Sequence, residues 1–141
     1  MTATNMKQLK QMIIKKAQKA MVVSQEKMLA DMYEETGGFY TGGEPTMYER
    51  TGALGDTPKT TAITTTGDSV SFEAYLDKKH QYTTGSNPNM QQVLELANDG
   101  KPFTTKNGYP ARETVGQKGF WERANEKMKK SFDDTMKSFF G

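Results

Sequence analysis

Tyr48-Glu49-Arg50-Thr51-Gly52-Ala53-Leu54 stands between a Met-rich stretch with helical periodicity and a Thr-rich stretch with strand periodicity. An aromatic, an oppositely charged pair, a Thr-Gly turn and an apolar leucine make a short element that anchors a crossover from helix to sheet. No catalytic chemistry explains this composition, so the segment points to assembly and away from turnover. We read Tyr48, Arg50, Thr51, Gly52 and Leu54 as local structure.

Upstream, a Thr4-Asn5 cap signal precedes Met6, Leu9, Ile13, Ala17, Ala20, Ser24, Met28 and Met32. These recur at steps of three and four residues and predict one face of a helix running to about Thr36. Met12, Val22, Val23, Leu29 and Tyr33 fall off that stripe. The helix therefore either packs on its own sheet and on something else, or is buried more deeply within its own fold. Gly37-Gly38-Phe39-Tyr40-Thr41-Gly42-Gly43-Glu44-Pro45 then breaks the periodicity. Paired glycines and a proline disfavour both helix and ladder, so an extended arm is expected over residues 37–47.

Downstream, Thr60 to Thr66 reads as a strand, Gly67-Asp68 as a turn and Ser69 to Asp77 as the partner strand. Val70, Phe72, Ala74 and Leu76 alternate with Ser71, Glu73 and Tyr75, giving one apolar and one polar face. A further strand is expected near His80 to Thr84. Asn87-Pro88-Asn89 then caps a short helix carrying Met90, Val93, Leu94 and Ala97 and closing at Gly100. Residues 101–119 form a long loop. The last helix, from about Phe120, places Trp121, Ala124, Met128, Phe132, Thr135 and Phe139 on a narrow stripe, with Lys127, Lys129, Lys130, Asp133 and Asp134 mostly on its wet side. The expected fold is a single α+β domain over residues 1–141: a long N-terminal helix, a small antiparallel sheet built on a hairpin, a short middle helix and an amphipathic C-terminal helix.

Composition narrows the function classes. Hydrophobic residues make up 34% of the 141 residues and mean hydropathy is -0.80, lean for a chain that must close its own core, so partners are expected to supply burial. Nineteen basic residues against seventeen acidic ones leave a net charge of +2, too little for a protein whose main task is gripping phosphates. With zero cysteines there are no disulfides, thiolate metal sites or Cys nucleophiles. No apolar run approaches the ~20 residues of a membrane span, and the polar N-terminus lacks a targeting signal, so a soluble chain without membrane contact is expected.

The residues that carry chemistry elsewhere are poorly placed here. His80 is the one histidine and has no metal-ligand or nucleophile partners at motif spacing. A hydrolase built on His80 with Asp77 or Glu73 has no motif behind it. The pairs Glu34-Glu35 and Asp133-Asp134 point apart on a helix and read as solvated charges. Gly37-Gly38 and Gly42-Gly43 lack the Lys-Ser/Thr ending of a phosphate loop. No catalytic residue, cofactor or metal is therefore expected. Lys7, Lys10, Lys15, Lys16, Lys19 and Lys27 spread around the first helix and read as solubilising, with a DNA-facing role as the alternative. Ten methionines suit surfaces that repack against several neighbours.

In order, the long first helix, the Tyr48–Leu54 segment, the Thr-rich hairpin, the helix Val93-Leu94-Glu95-Leu96-Ala97-Asn98-Asp99-Gly100 and Phe120-Trp121 opening the last helix resemble a phage family: the tail-completion or head–tail connector proteins related to minor tail protein Z. The resemblance covers most of the chain. It implies a protomer of a homo-oligomeric ring, hexameric or dodecameric, at the virion neck, made in the host cytoplasm. Its neighbours would be the connector or adaptor and the tail-tube or tail-terminator proteins, with DNA passing through the lumen without specific binding. The arm at 39–44 and the 101–119 segment depart from the family pattern. Subunit contacts are expected at Met12, Val22, Val23, Phe39, Tyr40, Phe103, Tyr109, Phe139 and Phe140. The alternative is a small DNA-binding or DNA-packaging accessory protein.

Overall fold

The chain enters its first helix at Asn5, whose extended backbone lets its side-chain oxygen accept from the Gln8 amide at 2.9 Å. That cap satisfies one of the amides a helix start leaves open. The computed structural model describes residues 5–42, 54–79, 90–99 and 117–141. They form α1 (Met6–Gly38), 3-10 turns at Phe39–Gly42 and Leu54–Asp56, β1 (Pro58–Thr60), β2 (Thr64–Thr66), β3 (Ser69–Ser71), β4 (Ala74–Leu76), α2 (Met90–Asp99) and α3 (Phe120–Phe140). The fold is α+β, as expected. The strand expected at 80–84, the cap at 87–89, arm residues 43–47 and loop residues 101–116 lie outside the described residues.

One correction concerns the arm. Helix α1 continues through Gly37-Gly38 into the turn Phe39–Gly42, although each glycine costs a helix about 1 kcal/mol. The compensation is Phe39, which is buried and meets Phe120 edge-on with ring centroids 6.2 Å apart. Its carbonyl also accepts from the Gln117 amide at 3.0 Å. Phe39, expected at a subunit contact, is a core residue of this fold.

The hairpin turns at Gly67, whose φ of 56° lies in the left-handed region that favours glycine. It consists of two short ladders, Thr64–Thr66 with Ser69–Ser71 and Pro58–Thr60 with Ala74–Leu76. Thr60 pairs with Ala74 and Thr64 with Ser71, so residues 61–63 face only 72–73 and the first strand carries one extra residue. Such a bulge shifts which side chains face inward. Pro58, Thr60 and Ile63 are sheltered while Lys59, Ala62 and Thr64 are exposed. The unbulged second strand keeps the simple alternation, with Val70, Phe72, Ala74 and Leu76 sheltered.

The hairpin lies along one side of α1. Gln25 Nε2 donates to the Thr61 carbonyl at 2.7 Å, Gln18 Nε2 to Thr65 Oγ1 at 2.9 Å, and Lys10 Nζ pairs with Asp68 at 2.5 Å. The turn of the hairpin thus sits beside the first turns of α1. On another side, α3 packs antiparallel to α1: Arg123 bonds Glu35, Ser131 Oγ donates to Asp31 at 2.6 Å, and Lys16 Nζ lies 5.5 Å from the centre of the Phe140 ring. Of the off-stripe residues of α1, Met12, Val23 and Leu29 are half-buried, whereas Val22 and Tyr33 stay exposed. Buried Thr36 and Thr135 return their hydroxyls to the carbonyls of Met32 and Ser131, so neither leaves an unpaired polar atom in the seam.

Two apolar clusters hold the end opposite the hairpin turn. Phe39, Leu54, Met90, Leu94, Ala97 and Phe120 form the larger, and Met32, Ala124 and Met128 the smaller, with Leu76 and Trp121 packed against both. Leu54, the last residue of the crossover segment, is buried there. The carbonyl of Leu54 accepts from both the amide and the hydroxyl of Thr57, which turns the chain directly into β1.

Candidate assembly surface

Each α-helix residue advances ~1.5 Å, so the 33 residues of α1 span about 50 Å and the 21 of α3 about 32 Å. With Phe140 beside Lys16, the difference falls at the N-terminal end of α1. The same stripe that buries Ala20, Ser24 and Met32 there reaches past its partner, leaving Met6 78%, Leu9 41% and Ile13 50% exposed. A shallow concavity of these residues, with Lys7, Lys10 and Ile14, meets Asp68 of the hairpin turn. From residue 5 to residue 25 the helix carries Lys7, Lys10, Lys15, Lys16 and Lys19 and no acidic side chain. The tip is both apolar and basic.

A second concave surface lies near the other end. Ala74, Tyr75 and Leu76 of β4, Leu94, Glu95 and Asn98 of α2, and Phe120 and Trp121 of α3 line a groove of about 300 Å³, with Lys78 beside them. Asn98 fixes the helices that wall it. Its side-chain oxygen accepts from the Trp121 amide at 2.8 Å and its Nδ2 donates to Glu122 at 2.9 Å, while its carbonyl accepts from the Gly119 amide. A side chain from α2 thereby serves the open start of α3, which Gly119, at φ 80°, cannot cap itself. The hydrogen bond from Asn98 holds the Glu122 carboxyl below its ordinary range.

Behind the groove, Glu35 is buried between two cations. Arg123 Nε and Lys127 Nζ each lie 2.8 Å from its carboxylate, and Lys127 also reaches Glu34 at 3.0 Å. Burial pushes the Glu35 carboxyl up, but hydrogen bonds from Lys127 and Arg123, with their charges, outweigh it and hold the group below its ordinary value. Lys127 is raised in turn by its hydrogen bonds to Glu35 and Glu34. Glu35 is thus not a solvated charge, and Lys127 stands partly exposed at the edge of the seam between α1 and α3. Adjacent carboxylates do point apart, but only one of this pair points outward. The arrangement locks α1 to α3; among the described residues no three His, Cys, Asp or Glu side chains are grouped to hold a metal ion.

Of the residues expected at subunit contacts, Val22 and Phe140 are 46% and 48% exposed. Met12, Val23, Tyr40 and Phe139 are half-buried. Tyr40 has a structural task, since its hydroxyl accepts from the Gly55 amide at 3.1 Å. Phe103, Tyr109, Tyr48, Arg50, Thr51 and Gly52 lie outside the described residues. Met6, Leu9 and Ile13 fall on the same helical stripe as the core residues of α1, which hides them as surface in the sequence. The available signal was length: the last helix is too short to cover the first.

The sequence profile of a family described as YomN matches residues 5–140. No curated protein and no solved structure matches the chain.

Proposed function

The chain belongs to the YomN family, a phage-derived family of Bacillus-prophage type, and from that premise we propose that this phage protein is a structural component of the virion that assembles into a ring at the neck. It joins the portal–adaptor complex to the tail tube and performs no chemical turnover. The observation that carries the assembly is the overhang of α1, where Met6, Leu9 and Ile13 stand exposed on the stretch of helix that α3 does not reach. Exposed apolar side chains grouped at one end of a molecule mark a partner surface. The position at the neck is supported by the order of elements that resembles tail-completion and connector proteins. Partners are then further copies of the chain, the connector and the tail-tube or tail-terminator proteins.

The lysines of the same overhang favour a second reading, a DNA-binding or packaging accessory. It explains Lys7, Lys15 and Lys19 but leaves Met6, Leu9 and Ile13 without a task, because phosphate contacts need no apolar stripe. Electron microscopy of phage particles carrying the labelled protein tests the proposal. Label at the head–tail junction is the expected result; particles without label, together with steeply salt-dependent DNA binding by the free protein, would replace it with the second reading.

A further inference from the structure

We infer that copies of this chain join head to tail, the apolar face of the first turns of α1 in one copy seating in the groove between β4, α2 and α3 of the next. The inference rests on the self-assembly reading above and specifies its contact.

The two surfaces match in polarity. Met6, Leu9 and Ile13 form an exposed apolar strip at helical spacing, and the groove presents Leu76, Leu94, Phe120 and Trp121. A partly exposed tryptophan and tyrosine in an apolar recess are the residue types that dominate binding energies at protein interfaces.

Charge selects this pairing over the symmetric ones. The helix tip carries its lysines with no acidic residue from 5 to 25. Around the groove, Glu95 is in the lining, Glu73 and Asp77 flank the β4 residues, Asp99 follows Asn98 and Glu122 is bonded to it, against Lys78 in the lining and Lys79 beside it. Tip on tip would oppose lysines to lysines, which penalises a two-fold contact through that face. Tip on groove sets the lysines against a rim in which carboxylates outnumber lysines.

A single copy cannot make this contact with itself. Ala74 and Leu76 pack near Met32, and Ile13 lies 19 residues back along the helix, about 28 Å away at ~1.5 Å per residue. The contact is therefore between copies and heterologous, the kind that closes into a ring or propagates as a filament.

The absence of cysteine from the chain makes the test specific. Ile13→Cys and Tyr75→Cys, both at exposed positions, are prepared separately and treated with a short bismaleimide, alone and mixed, while sedimentation reports the assembly state of each. Cross-links in the mixture only, and a ladder of multimers from the double variant, are expected, with yield falling several-fold as salt is raised. Charge reversal by Lys7→Glu, beside the same apolar residues, lowers the yield without unfolding the chain. Self-association without the mixed cross-link, or linking of Ile13→Cys to itself, overturns this contact while leaving the ring reading standing. A chain that stays monomeric overturns both. Protection of the Ile13→Cys thiol by duplex DNA or anionic vesicles, with no link between copies, assigns the tip to those surfaces and overturns the inference.

Discussion

At one end of the molecule Phe39, Leu54, Met90, Leu94 and Phe120 close on one another; at the other, Met6, Leu9 and Ile13, on the stripe of α1 that is buried at Ala20, Ser24 and Met32, remain exposed. The two ends differ in what lies opposite them. The closed end receives the 3-10 turns, α2 and the start of α3, tied by Asn98 and by the Glu35 ion pairs. Among the described residues the open end receives only the hairpin turn, through Lys10 and Asp68, an exposed pair worth little in water. The closed end holds the fold, and the open end is available to hold an assembly.

The sharpest way to break that division is to damage the closed end. Phe120→Ala removes a fully buried ring and should cost about 3–5 kcal/mol, a large share of a domain's stability, read by chemical denaturation. A loss no greater than that of a tip substitution would mean that the core sits elsewhere.

Glu35→Gln should cost about 1–3 kcal/mol near neutral pH, because two charge-assisted hydrogen bonds lose their anion; the partly exposed cations keep the value below that of a fully buried pair. The same change should flatten the acid dependence of stability. A carboxyl held below its ordinary value of 4.5 stabilises fully above that value and loses its contribution as pH falls from there through the folded-state value. Denaturation at a series of acidic pH values compares the two proteins, and parallel curves would remove Glu35 from the lock between α1 and α3.

Asn98→Ala should cost about 1 kcal/mol, the scale of a lost helix cap, and should speed hydrogen exchange at the first amides of α3. Unchanged exchange at Trp121 would show that the clamp is dispensable. Smallest of all, Leu9→Ser with Ile13→Ser should leave stability within ~0.5 kcal/mol, yet abolish self-association. A large loss of stability there would erase the contrast between the ends.

Much of this was legible in the sequence. The Asn5 cap, the turn at Gly67-Asp68, the alternation from Val70 to Leu76 and the start of the last helix at Phe120 are each fixed by local chemistry: a side-chain cap, a left-handed glycine, a two-residue period and a helical stripe. What local chemistry does not encode is the identity of the opposite surface. Gly37-Gly38 reads as a break, and only the burial of Phe39 against Phe120 carries the helix through it. Glu34-Glu35 reads as a solvated pair until α3 brings Arg123 and Lys127 to one of them. The extra residue at 61–63 is invisible in the Thr-rich run, where Ala62 and Ile63 stand side by side and so mark neither face. The tip was hidden because a stripe of period 3.6 looks the same whether or not a partner helix reaches it.

Sedimentation velocity of the native chain beside the Leu9→Ser, Ile13→Ser variant, over a range of concentrations, tests the division between the two ends most directly. The native chain should shift to larger species as concentration rises while the equally folded variant stays monomeric. Two proteins that sediment alike would contradict the assembly role of the exposed end of α1.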